Sequence, residues 1–293
     1  MPQSRLRDNP TRTAAPSGMV FTMNANLSAA IASTLARYDL LTHPFYTAWT
    51  RGELTREQLH FYGEQYLAHV AAFPTYLTAL HARLPEGPTR RAVLNNAFEE
   101  EADGRSHADL WRDFILGMKN RGGMKNIGTH ELSSSVVNEK CHFDRSVPAP
   151  REHAAEKPAS SFDSSAQLPE ITALVTTFRD LATTASPAEA IAAFHAYESQ
   201  VPRIAAEKRR GLRDQYAADD ATCEYFRIHE TADIHHAAVW TSLLDRELAA
   251  AASQGPAALA SCEEDILRGT ETAARALWTA LDGIEATRTQ LAA

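Results

Sequence analysis

The sequence predicts an all-α protein, and three observations carry that expectation. Apolar residues recur every three or four positions along most of the chain, the spacing that gives a helix one buried face. Helix-start signals punctuate the same stretches, among them two capping boxes and several prolines at first-turn positions. Alternating β-branched runs, the signature of strands, are missing.

Seven helices follow in order. Leu27 to Leu41 is rich in Ala and Leu and stops before His43-Pro44. Thr55-Arg56-Glu57-Gln58 matches a capping box, in which Thr and Gln side chains satisfy two free amide donors; it opens a second helix to about Leu84. Pro88 begins a third, running to about Leu116, and Pro169 a fourth. Ser186-Pro187-Ala188-Glu189 is a second capping box with Pro at the favoured first position, opening a fifth helix to Tyr216. Asp219 or Asp220 caps a sixth, ended by Gly255-Pro256 after about Ala251, and the last covers roughly 259–289.

Two segments stand apart from a domain spanning 27–293. Residues 1–26 hold Arg5, Arg7 and Arg12, one acid, Asp8, and no continuous apolar stretch, so they are not a secretory signal. They read as a disordered extension; a targeting peptide, or sequence upstream of a start at Met23, are the alternatives. Residues 119–167 lack helical periodicity and hold Lys119, Lys125, Lys140 and Lys157, four of only five lysines. A loop this long is disordered or functional, and here it reads as a disordered insertion, with a lid as the lesser alternative.

Composition excludes several classes. A net charge of -8 argues against nucleic-acid and anionic-membrane surfaces. Cys141, Cys223 and Cys262 form no C-x-x-C pair, which disfavours a disulfide framework or a cysteine zinc site and points to a cytoplasmic protein. No apolar run approaches the ~20 residues that span a bilayer.

Polar groups interrupt three apolar stripes. In the third helix the stripe is Val93, Ala97, Glu100, Gly104, His107, Trp111, Phe114. In the sixth it is Phe226, His229, Asp233, His236, Trp240, Leu243. In the fifth, Glu198 lies among Ile191, Phe194, Val201, Ala205, Lys208 and Leu212. Burying lone ionised carboxylates is costly, and proteins avoid it by pairing the charge or binding a metal. Three carboxylates and three imidazoles from three helices suit iron or manganese better than a structural zinc, and helical bundles host such dinuclear sites. The bland reading is that a lone His on such a stripe is a hydrogen-bonded core residue and that Glu100 and His107 form a buried pair. The His-x3-Asp-x2-His arrangement resists it, because three polar groups on one buried stripe need a shared partner. The spacing of Glu100 and His107 puts them two turns apart, ~10.5 Å along a continuous helix, unlike the Glu-x-x-His of ferritin-like sites. Glu99, Glu101, Glu230 and His235 lie off these faces and read as solvated or as support for the inner groups.

Several segments carry a family resemblance: His43-Pro-Phe-Tyr46, Gly52-Glu-Leu-Thr-Arg-Glu-Gln-Leu59, Tyr62, His69-Val-Ala-Ala-Phe-Pro-Thr-Tyr-Leu77, Asp109-Leu-Trp111, Tyr197-Glu-Ser-Gln-Val-Pro-Arg-Ile204, Glu207-Lys208 and His229-Glu-Thr-Ala-Asp233-Ile-His-His236. In these the chain resembles the CADD-like group of heme-oxygenase-like diiron oxidases, relatives of the TenA and PqqC proteins, over residues 27–250 apart from the insertion. The resemblance implies a seven-helix heme-oxygenase-like bundle without haem. It implies two metal ions, Fe/Fe or Mn/Fe, held by Glu100, His107, Glu198, His229, Asp233 and His236, with O2 as co-substrate and an external reductant. It also implies synthesis of para-aminobenzoate for folate by an oxygenase that consumes itself, Tyr46 giving the ring and Lys208 the nitrogen, and a homodimer as the assembly.

Lys208 has independent support as the only lysine outside the insertion, in a chain whose Lys and Arg total 29. Arginine does not replace lysine where the amine must react. Against this stands a chance surface Lys in Glu207-Lys208-Arg209-Arg210, and composition leaves both open. On an ideal helix Lys208 lies ~80° from Glu198, with Pro202 between them expected to kink the helix. Tyr46 alone reads as a core aromatic; Tyr62, Tyr66, His69 and Phe73 share a mostly buried face, where Tyr62 could orient the site or carry a radical. Three alternatives remain at this point: a diiron oxidase of another small substrate (amine, amino acid or fatty acid), a metal-free PqqC- or TenA-like enzyme, and a non-enzymatic interaction protein.

Overall fold

The structure, a computed structural model, describes residues 22–101, 104–119 and 166–291. The expected disordered extension, through residue 21, and the expected insertion, from 120 to 165, lie outside these residues. Within them the chain is all helical, with ten α-helices, one 3-10 turn and no strand. No described helix is long and apolar enough to cross a membrane.

The expected first helix is α1 (Ala25–Arg37), opened by Asn24, whose side chain accepts from the Leu27 amide. A 3-10 turn at Leu40–Thr42 follows, then a short α2 (Pro44–Thr50) that sequence periodicity did not announce. His43 makes α2 possible: its Nδ1 accepts from the Phe45 amide (3.1 Å), an imidazole in the N-cap role, with Pro44 at the tolerated first position. The Thr55 capping box is formed in both directions and opens α3 (Arg56–Arg83). The expected third helix is two, α4 (Pro88–Glu101) and α5 (His107–Met118). Next come α6 (Pro169–Thr183), α7 (Pro187–Glu198), α8 (Val201–Tyr216), α9 (Asp220–Gln254) and α10 (Pro256–Leu291). The second capping box is half formed. Ser186 accepts from the Glu189 amide, but the Glu189 carboxylate leaves the cap to pair with Arg268 on α10.

The extra helices over the expected seven thus come from α2 and from breaks in two long helices. α7 explains the layering. Ala188, Ala190 to Phe194 and Ala196 are buried around its whole circumference, and a helix apolar on every side belongs at the centre. It packs against α10, where a Cβ on Gly269 would come 2.1 Å from the Glu189 carbonyl oxygen, and against α9. Its last residue, Glu198, is thereby delivered into the interior. α3 with α5 and α6 form the other wall, with Trp111 donating to the Gly63 carbonyl (2.8 Å).

Candidate metal centre

Two breaks in the helices build the site. After α4 the chain turns through Gly104, whose φ of +92° only glycine adopts without strain, and Ser106 caps α5. Glu100 therefore sits in the last turn of α4 and His107 starts α5, with His107 Nδ1 2.8 Å from Glu100 Oε2. The expected two-turn separation along one helix is corrected: the two groups touch. The second break follows Glu198. Pro202 lacks the amide that would bond the Glu198 carbonyl four residues back, and its ring crowds that oxygen. Ser199 and Gln200 stay in the right-handed helical region while the helix divides there, so the expected kink falls just ahead of the proline. α9 runs unbroken and presents His229, Asp233 and His236 along one stripe.

These six side chains converge, and none is more than 6% exposed. Glu100, His107 and His229 bring one ligand atom each to within 4.8 Å of one another; so do Glu100, Glu198 and His236. Glu100 belongs to both groups. Asp233 joins neither group and lies against His236, with Oδ1 2.9 Å from Nδ1.

The electrostatics are unbalanced without cations. Burial, together with the charges of Asp233 and Glu100, pushes the Glu198 carboxyl well above its usual range, despite His236 and a bond from Trp240. Burial opposes ionisation of Glu100 too, but the His107 contact outweighs it and holds that carboxyl below normal. His107 is raised for the complementary reason, burial being overcome by Glu100. Burial lowers His229. His236 is lifted to about 10, because its bond to Asp233 and the charges of Glu198 and Asp233 exceed the cost of burial. Divalent cations remove this conflict, since each carboxylate gains a charge partner and each imidazole can stay neutral. The donor set, oxygen and nitrogen with no sulfur, fits iron or manganese.

Residues that sequence reasoning passed over hold these groups in place. Asn96, one turn before Glu100 and buried, donates to both Glu198 oxygens (3.2 and 3.3 Å), and Trp240 Nε1 donates to Glu198 Oε2. From sequence Trp240 reads only as apolar, and the single signal for Asn96 is an amide on a buried face. His229 Nδ1 bonds the Tyr225 carbonyl at 2.6 Å, which leaves Nε2 to face the cluster.

Tyr46 on α2 and Lys208 on α8 meet nearby. Lys208 is 1% exposed, and its Nζ stands 3.4 Å from the Tyr46 ring centroid and 4.7 Å from that of Trp49. The surface reading of this lysine is thereby corrected. Burial drives its amine well below the ordinary lysine range, with only the charge of Glu207 opposing. Burial thus disfavours the ammonium form of the amine over the ring. The Tyr46 hydroxyl bonds that of Tyr62 (2.8 Å), and burial pushes Tyr46 up to about 12. Tyr62 and Tyr66 line a cavity of about 30 Å3 with Tyr46, and Tyr197 and Tyr225 line both this cavity and the smaller one at the metal cluster. Those two rings are the wall shared by the two compartments. His69 is fully buried, has no hydrogen-bond partner among the described residues for either nitrogen, and is driven down to about 3 by burial. Cys223 lines neither cavity, and burial raises its thiol, so it offers no nucleophile at either.

Comparison with known proteins agrees with this geometry. A family profile described as iron-containing redox enzyme matches residues 60–269. The fold matches a heme-oxygenase-like domain of unknown function from Shewanella denitrificans at a TM-score of 0.62 and 12% identity, covering 92% of this chain and 94% of that one. It also matches a TenA homologue from Pseudomonas syringae pv. tomato at 0.59 and 14%, covering 89% and 91%. The chain belongs to the iron-containing redox enzymes built on the heme-oxygenase-like fold. Within that family it is similar to proteins named 4-aminobenzoate synthase. The one from Nitrosomonas europaea is 33% identical over 262 residues, covering 86% of this chain and 88% of the relative. That from Chlamydia pneumoniae is 31% identical over 220 residues, covering 74% and 82%.

Proposed function

We propose that this protein makes 4-aminobenzoate out of its own side chains, Tyr46 supplying the ring and Lys208 the amino nitrogen, with two metal ions (Fe/Fe or Mn/Fe), O2 and an external reductant. One observation carries the reading: a fully buried amine, its charged form disfavoured by burial, lies 3.4 Å above the ring of a buried tyrosine, one aromatic wall from a cluster of six candidate metal-ligand side chains. The chemistry of the product agrees. The ring and Cβ of Tyr46 hold the carbons of 4-aminobenzoate: breaking Cα–Cβ and oxidising Cβ to the carboxyl at the expense of O2 gives the skeleton, and breaking Lys208 Cε–Nζ frees the nitrogen that displaces the phenolic oxygen, which leaves as water.

Glu100, His107, Glu198, His229, Asp233 and His236 would hold the metals, and the metals when bound supply the oxidising power by activating O2. The protein's part is positioning. Tyr62 holds the Tyr46 hydroxyl, the Trp49 and Tyr46 rings flank Lys208 Nζ, and the dry surroundings favour the unprotonated, nucleophilic form of the amine. The cavity beside Tyr46, about 30 Å3, has room for a water or a dioxygen next to the ring. Consuming Tyr46 and Lys208 limits each chain to a single product molecule.

The test is chromatographic detection of 4-aminobenzoate from iron-loaded protein given O2 and a reductant. Wild type should yield less than one product per chain, and Tyr46→Phe and Lys208→Arg should yield none. Undiminished product from either variant, or many turnovers after adding a small substrate, would refute the assignment.

A further inference from the structure

Glu99 does not belong to the ligand set, yet it reaches one of its members. α4 carries three acids in a row. Glu100 points into the cluster, Glu101 is exposed, and Glu99, with its side chain 43% exposed, sends Oε2 to within 2.6 Å of His236 Nε2 on α9. The other side of that imidazole faces inward. Its Nδ1 lies 2.9 Å from Asp233 Oδ1 and 3.7 Å from Glu198 Oε2. The two nitrogens of an imidazole point to opposite sides, so an ion among Glu100, Glu198 and His236 meets Nδ1, and Nε2 keeps a proton to give away. Metal-bound histidines characteristically donate that second N–H to a carboxylate, carbonyl or water, which fixes the tautomer and ring angle and raises the basicity of the ligating nitrogen.

His229, two turns earlier on the same helix, is set the other way. Its Nδ1 bonds the Tyr225 carbonyl, so it offers Nε2. The acceptor for His229 is backbone and survives any substitution; the acceptor for His236 is a single side chain from another helix. We propose that Glu99 is a positioning residue for the metal site at Glu198 and His236, selecting the Nδ1-binding form of His236, and that the site at His107 and His229 does not depend on it. The assignment rests on the metal-binding reading above. From its half-exposed position Glu99 supplies its charge with less desolvation than a buried fourth acid would need.

The experiment is anaerobic Fe(II) titration of the full chain, with iron per chain measured by mass spectrometry and the two ferrous sites followed by near-infrared magnetic circular dichroism. Wild type should bind two irons. Glu99→Ala should keep one at wild-type affinity and bind the other roughly 10- to 100-fold more weakly, with ligand-field bands changed for that iron alone. Glu99→Gln, which retains an oxygen acceptor, should recover much of the loss. Glu101→Ala, on the same helix and exposed, should match wild type. Two irons of unchanged affinity in Glu99→Ala would overturn the assignment, as would equal weakening of both sites, which is what a general loss of charge or fold would give. A wild type that binds no iron would instead overturn the metal reading itself, and this assignment with it.

Discussion

Replacing Lys208 by Met should make the iron-free protein more stable, and by an amount that shrinks as the pH rises. The amine is 1% exposed, no carboxylate among the described residues pairs with it, and its one acceptor is the Tyr46 carbonyl at a long 3.5 Å. Burial therefore lowers the folded-state ammonium well below 10.5, the value an unfolded chain keeps. Between those two values the unfolded chain binds the extra proton. Stability accordingly rises with pH across that window, at ~1.4 kcal/mol per unit, and the penalty is complete below it. A poorly bonded buried polar group adds about 1–3 kcal/mol. Met keeps an apolar stem and drops both costs, against a small void where the nitrogen was. A net gain of at least ~1 kcal/mol is expected near neutrality, raising Tm by about 2–4 °C per kcal/mol in a chain of this size. Urea midpoints for wild type and Lys208→Met at several values between about pH 7 and 9 would measure it. A destabilised variant, or a gain that stays flat with pH, would refute the claim that burial disfavours the charged form of this lysine.

Other outcomes follow from the same geometry. Gly104→Ala forces a side chain onto a φ of +92°; it should cost about 1–3 kcal/mol and lower iron retention by parting His107 from Glu100. Gly269→Ala would set a Cβ 2.1 Å from the Glu189 carbonyl oxygen, so α7 and α10 must separate, at about 1–3 kcal/mol by urea unfolding. In iron-free protein His236, raised to about 10 from 6.5, contributes stability that is complete below 6.5 and is lost as the pH climbs to about 10. The stability difference between wild type and His236→Gln should shrink over that interval; a constant difference would contradict the assigned network.

Much of the site was legible in the sequence because helices α4, α5, α7 and α9 each keep one face toward the same interior. Glu100, His107, Glu198, His229, Asp233 and His236 interrupt those faces, and the structure brings them together. The geometry between them was not legible. The stripe through Gly104 continues in step across the break, so periodicity alone joined α4 to α5 and set Glu100 and His107 two turns apart instead of in contact. The α7–α8 division was half visible, in Pro202. α2 was hidden because its cap is a histidine and its length is seven residues, too short for periodicity to register. Glu99, off the stripe by one position, was rightly separated from the inner groups, but only tertiary structure shows that it crosses to α9.

The origin of the product's atoms tests the central claim most directly. Protein made with ring-13C tyrosine and ε-15N lysine would be loaded with iron and given O2 and a reductant in unlabelled buffer, and the 4-aminobenzoate weighed by mass spectrometry. Product carrying both labels is expected, with the chain losing the matching mass at Tyr46. Unlabelled 4-aminobenzoate, or none until a small molecule is added, would contradict it.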